Sequence, residues 1–189
     1  MARQMVALCL LDIPNEAYQA GCQILYYLLT PATICLAISF YEQFQALKKH
    51  LWAVTAGVLA GTVASLGSVY LLCRLTGLDQ VLMISILPKS VTTAIGVALS
   101  EEIGGIAAIT TASIVITGNL GNMAGVMMCR LFRFKSEIAQ GVAFGTASHV
   151  IGTAKASELS QLAGAVSSLS LTLAGIFTCI MLSAVFQYL

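Results

Sequence analysis

The chain alternates long apolar runs with short polar breaks, and the length of each run decides what it can become. Residues 51–73 form one unbroken run, which at about 1.5 Å per residue is long enough to cross a bilayer as a helix. Residues 104–128 form a second, interrupted only by Thr117-Gly118-Asn119, and 161–189 a third. A further candidate span, 24–41, holds Pro31 flanked by Thr30 and Thr33, which predicts a kinked helix whose freed backbone groups the threonine hydroxyls can satisfy. An acidic turn, Asp12-Ile13-Pro14-Asn15-Glu16, precedes that span. The apolar stretch ahead of the turn, residues 1–11 with Arg3, is too short to span and lacks a small-residue cleavage site after it.

Two other apolar stretches, 80–99 and 138–156, differ in kind because each carries polar residues at its centre. In the first, Pro88 removes a backbone donor and clashes with the preceding turn, so a helix ending near Leu87 cannot continue unbroken. Lys89 follows directly. A lysine at the bilayer centre costs from about 3 to more than 10 kcal/mol, so it must face a bundle interior or a watery cavity. These features predict two half-helices meeting at a polar tip, the kind of broken helix that lines substrate sites in transporters. The second stretch has Gly145-Thr146-Ala147-Ser148-His149 and Gly152-Thr153 at its middle, with its tip expected around Gly145. Half-segments of this length reach roughly 12–15 Å, about half the hydrocarbon core, so both tips are expected near the midplane.

The two stretches also repeat. At an offset of 57 residues, set by Ser100-Glu101 and Ser157-Glu158, Ala108-Ile109-Thr110-Thr111 falls on Ala165-Val166-Ser167-Ser168 and Gly118 falls on Gly175. Repeats 80–135 and 137–189 then follow an N-terminal helical part, 1–79. Loop charge decides whether the broken segments cross. If 80–99 crossed, the Lys48-Lys49 loop and the Arg130, Arg133, Lys135 loop would lie on opposite sides; a re-entrant hairpin puts both inside and Glu101-Glu102 outside. The expected fold is therefore all-α, a polytopic transmembrane protein with two inverted repeats. Each repeat is a broken or re-entrant helical hairpin plus a long transmembrane helix.

Composition agrees. Of the 189 residues 58% are hydrophobic and only 9% charged, with a mean hydropathy of +0.91, too few charges to solvate a globule. A net charge of +1, with no basic cluster larger than a loop's handful, gives no case for nucleic acid as a partner. Cys9, Cys22, Cys35, Cys73, Cys129 and Cys179 are scattered singly, which reads as small apolar packing residues. Gly57-x-x-x-Gly61 suits close helix packing.

The candidate chemistry sits at the tips. Lys89 with Ser90, Thr92, Thr93 and the N-terminus of the following half-helix makes an anion site, Pro88 shaping the tip. The alternative for Lys89 is a structural ion pair with Glu101 or Glu158. His149, with Thr146 and Ser148 beside it, can bind an anion or relay a proton, or simply hydrogen-bond a neighbouring helix. Asn119 and Thr117 either line the same cavity or bond across helices. Gly118, Gly145 and Gly152 read as backbone geometry, and His50, beside Lys48 and Lys49, as a bystander. No nucleophile-base motif, metal-ligand spacing or phosphate loop is present, so neither enzymatic activity nor a cofactor is expected.

The set Leu87-Pro88-Lys89-Ser90-Val91-Thr92-Thr93, Glu101-Glu102-Ile103-Gly104-Gly105, Ile116-Thr117-Gly118 and Gly145-Thr146-Ala147-Ser148-His149 with Gly152-Thr153-Ala154-Lys155 resembles the LrgB/CidB family of bacterial inner-membrane proteins. The resemblance runs from about residue 24 to the C-terminus. The chain looks like a member shortened at its N-terminus. It departs from the family pattern at Ala94, where proline is usual, at Val150, where glycine is usual, and at Lys155, where arginine is usual; Lys155, Glu101 and Glu158 are candidates for ion pairing or coupling. The resemblance implies two functions. One is transport of small monocarboxylates such as pyruvate, glycolate, glycerate or lactate, as in the related plastidial glycolate/glycerate translocator. The other is antiholin-like control of murein hydrolase activity and lysis beside an LrgA/CidA-type membrane partner. Lipid contact and homo-oligomers are also expected. The converging polar tips favour transport.

Overall fold

The computed structural model describes residues 44–186, together with Gln23, Tyr27, Pro31, Ile34, Ile38 and Tyr41. The chain divides into two compact units, Met1–Ile38 and Ser39–Leu189. In the first, the five described residues have helical backbone and are exposed. The expected acidic turn, the threonines beside Pro31, and Cys9, Cys22 and Cys35 lie outside the described residues.

The described residues form six helices and no strand: α1 (Phe44–Thr76), α2 (Gln80–Ile86), α3 (Thr93–Glu102), α4 (Ala107–Leu131), α5 (Glu137–Leu159) and α6 (Gln161–Phe186). Lys48–Thr76, Ala107–Leu131 and Gln161–Ala184 are long and apolar enough to cross a membrane. Trp52, Leu75 and Met123 stand fully outward from them, as suits helices bathed in lipid rather than water.

Between α2 and α3 the chain breaks where Pro88 stands. Asp79 caps α2, its carboxylate accepting from the Val81 amide at 3.3 Å. The helix ends at Ile86, two tight turns follow (Lys89 N to Ile86 O, 3.0 Å; Val91 N to Pro88 O, 3.3 Å), and extended Thr92 restarts the helix. Met83 and Leu87 pack with Val69 and Cys73 of α1, while Ser90 shares a 2.9 Å hydrogen bond with Ser65 further back along it, so α2 runs against α1. After the break the chain returns. Leu99 joins the same cluster as Met83, and the Ser85 hydroxyl, in α2, accepts from the Ile106 amide at 2.8 Å, just beyond α3. α4 then leaves antiparallel to α3, with Thr110 donating to Ser100 at 2.7 Å and Gly96 set against Ile114.

The second broken segment is α5, whose two arms reverse at His149 (φ 42, ψ −138). On the first arm Gly141 lies against Ala163 and Val166, and Gly145 against Ser167 and Ser170, so this arm runs alongside α6 in the same direction. On the second arm the order inverts. Thr153 bonds Ser167 at 2.8 Å and Ser157 lies against Gly164. Ser160 finally donates to the Glu137 carboxylate at 2.8 Å, so the end of α5 meets its own beginning. The tip expected around Gly145 is thus four residues later, and the physical reason is that Gly145 serves the close approach of the first arm to the α6 backbone. The first arm also packs on α1, where Gly57 faces Val142 and Gly61 faces Thr146 at 3.3 and 3.2 Å from where a Cβ would stand.

This packing makes two glycines behave oppositely. A Cβ at Gly145 would collide with the Ser167 carbonyl and stand 2.8 Å from the Ser170 Cβ, so Gly145→Ala is expected to destabilise by about 1–3 kcal/mol. Gly67, on an open face of α1 with nothing near it, should gain up to about 1 kcal/mol as alanine. Thermal unfolding of the two variants in detergent checks this, and equal shifts would contradict the packing.

Candidate functional site

The first break meets the first arm of α5 beside α1 and α6. Thr62 and Ser65 from α1, Ser90 and Pro88 from the first break, Thr146 from the first arm of α5 and Thr178 from α6 enclose a cavity of about 10 Å³, the size of one water molecule. Each is placed by a local cause. Thr62 and Thr146 turn their hydroxyls back onto the carbonyls of Val58 (2.9 Å) and Val142 (2.7 Å), which satisfies their protons within the helix while leaving oxygen lone pairs toward the cavity side. Ser90 is held by Ser65 and receives the Lys89 ammonium at 3.2 Å. Lys89 is half-buried.

Neither expected carboxylate partner reaches Lys89. Glu158 pairs instead with Lys155 at 2.6 Å on the exposed end of α5, and Glu101 is exposed at the end of α3. Lys155–Glu158 is the one ion pair among the described residues. The structural ion-pair alternative for Lys89 is therefore not what the geometry contains; the contact is to a hydroxyl.

His149 is buried at the reversal of α5, where its Nε2 donates to the Ile114 carbonyl at 2.9 Å. A carbonyl only accepts, so Nε2 carries the proton and Nδ1 is the ring's acceptor in the neutral form. The contact exists because residue 118 is glycine. In a helix the carbonyl of residue 114 points toward residue 118, and a Cβ there would stand 2.6 Å from Nε2. Of the three readings open for His149, the hydrogen bond to a neighbouring helix is the one present in this conformation. A positive φ at a non-glycine residue costs of order 1–3 kcal/mol, so the surrounding contacts must hold this turn.

The other expected residues divide. Ser148 is buried against Gly121, and Gly152 packs back on Ser148 and Phe144, so both serve the fold of α5. Thr92 caps α3 without a side-chain hydrogen bond, and Thr93 is exposed. Asn119 is a correction. Its side chain is exposed and donates to the Val115 carbonyl of its own helix at 2.9 Å, so it neither lines the cavity nor bonds across helices. Sequence reasoning missed Thr62, Ser65 and Thr178. The available signal was a hydroxyl inside an otherwise apolar span, the residue type that joins helices in lipid.

Comparison with known proteins places the chain. The family model described as the LrgB-like family matches residues 1–188. The chain is 40% identical over 171 residues to a Bacillus subtilis (strain 168) protein called "Uncharacterized protein YwbG", covering 90% of this chain and 76% of that one. It is 36% identical over 167 residues to the "Antiholin-like protein LrgB" of Bacillus mycoides (strain KBAB4), and 35% identical to the protein of the same name from Bacillus cereus (strain B4264), covering in each case 88% of this chain and 73% of the relative. No solved structure matches. With the family model spanning nearly the whole chain and relatives above one-third identity, this membrane protein belongs to the LrgB-like family.

Proposed function

We propose that the chain acts in a bacterial inner membrane as an antiholin-like regulator of murein hydrolase activity and lysis, together with a small LrgA/CidA-type membrane partner. The observation that carries this reading is the name of its relatives, which share more than a third of their residues with it over 88% of its length. Restoring the chain to a host lacking its LrgB-type protein should return the autolysis rate to its original level, and an LrgA-type protein should co-purify with it. Unchanged autolysis and no co-purification would count against the reading.

A specific observation favours a second reading, carriage of small monocarboxylates. The first helix break and the first arm of α5 bring several hydroxyls to one small cavity, and the Lys89 ammonium bonds one of them, Ser90. An inverted pair of re-entrant repeats would explain this, and three observations support it. Each broken segment doubles back, as the Ser85–Ile106 and Glu137–Ser160 hydrogen bonds require. Gly118 of α4 faces His149 of the second broken segment, and its equivalent Gly175 of α6 faces Ile95 of the first. The basic residues Lys48 and Arg133 lie at corresponding ends of α1 and α4 under this arrangement, with Glu101 at the other. The cavity has room for one water and none for a carboxylate, so the reading requires the surrounding helices to part during transport.

Labelled pyruvate or glycolate flux into proteoliposomes tests the second reading. Lys89→Ala is expected to cut saturable flux by about 10-fold or more, the order for removing a charged hydrogen-bond partner. If the same substitution leaves autolysis intact, regulation and carriage are separate activities; no flux for any small carboxylate leaves regulation alone. Single cysteines at positions 48, 133 and 101, in a background without the native cysteines, test the topology. An impermeant thiol reagent should reach 48 and 133 from one face and 101 from the other, and labelling of 48 and 101 from one face would refute the re-entrant arrangement.

A further inference from the structure

Where α4 ends, the chain forms a basic pocket that neither proposed function uses. Arg130, Arg133, Lys135 and Gln140 line a cavity of about 340 Å³ together with the apolar Phe134 and Leu159, and no carboxylate lines it. The loop that holds the cations is fixed. Arg133 N bonds Arg130 O at 3.1 Å, Phe134 N bonds Cys129 O at 2.8 Å, and the Gln140 side chain donates to Phe134 O at 2.8 Å. None of the three cations is in an ion pair among the described residues.

A second cavity adjoins the first. It holds about 170 Å³ between α4 and the first arm of α5, and its walls are almost wholly apolar, from Gly121 and Ala124 to Phe144 and Ala147. Cys129 and Phe134 line both cavities, so the two adjoin across these side chains. From Arg130 to Gly121 the crevice descends about 13 Å along α4, from the end of a membrane-length helix toward its middle.

We propose that this composite groove binds one anionic phospholipid, its headgroup phosphate on Arg130, Arg133 and Lys135 and one acyl chain in the crevice. Charge complementarity commits the site to that occupant. Guanidinium groups fork onto phosphate oxygens, basic pockets between transmembrane helices hold anionic headgroups, and the dry crevice below has no use for a soluble anion. The assignment is independent of whether the protein regulates lysis or carries carboxylates.

The test uses the purified full chain in detergent, with native mass spectrometry and thermal stability read against three additions: phosphatidylglycerol, phosphatidylcholine with the same chains, and inorganic phosphate. Phosphatidylglycerol should be retained and stabilise the protein while the other two do neither. Arg130→Gln, Arg133→Gln and Lys135→Gln should each weaken retention about fivefold. Ala147→Trp, which fills the crevice without touching the cations, should weaken it too. Arg130→Lys with Arg133→Lys keeps the charge but loses the fork and should weaken retention less than Arg130→Gln with Arg133→Gln, separating lost charge from a damaged fold. Four results would overturn the proposal: equal retention of phosphatidylcholine, phosphate competing as well as lipid, an equal loss on Lys48→Gln with Lys49→Gln, or no lipid retained by the native chain, as expected if protein fills the groove.

Discussion

In surroundings without water, a helix that stops must hand its unpaired backbone groups to something else, and the architecture of residues 44–186 follows from meeting that demand twice. At Pro88 the chain meets it locally, with two successive tight turns. At His149 the freed carbonyl accepts from the Thr153 hydroxyl one turn on at 3.0 Å, while the imidazole and Thr153 tie the turn to α4 and α6. The cost of an unmet group at that depth is several kcal/mol, larger than any single packing contact nearby. Hence glycines stand where helices must come closest, at Gly118, Gly141 and Gly145, and short hydroxyl side chains stand where they must join, as in Ser100 with Thr110 and Thr153 with Ser167.

These hydroxyl pairs each contribute little, on the order of 0.6 kcal/mol in a membrane interior. Their value is in direction. A leucine in their place would pack against lipid as readily as against protein, whereas a buried serine is satisfied in one orientation only. The interior is therefore apolar packing oriented by a few directed polar contacts, and the outside is apolar too, unlike the polar surface of a water-soluble domain.

Much of this was legible from the residues. Pro88 announces its break because proline removes a donor wherever it stands, and the spans are set by run length alone. The exact turn in α5 was not legible, since no proline marks it; the glycines that drew attention there serve helix contact, while the reversal falls on a histidine whose side chain is held by a remote carbonyl, that of Ile114. Asn119 was misplaced for a related reason. α4 is apolar on every side, so periodicity could not say which face looks inward, and a polar residue in the middle of a span was read as facing the site. Lys89 was placed correctly at a tip, but its partner could not be: a serine next to it in sequence took the role imagined for a remote glutamate. The family was readable from its motifs, because these combine rare residues in a fixed order.

The reversal at His149 bears on how the protein is made. Residues 137–159 leave the ribosome before α6 does; the first arm and the turn meet α1 and α4, which precede them, but the groups that close the second arm, the Ser160 hydroxyl, the Gly164 backbone and Ser167, lie later in the chain. The arms alone are too short to span and too poorly satisfied to remain in lipid. The contacts that close the second arm therefore become available only once α6 has been synthesised, so that arm takes its place late. The last helix of the sequence is in this sense the template on which the preceding one takes its shape.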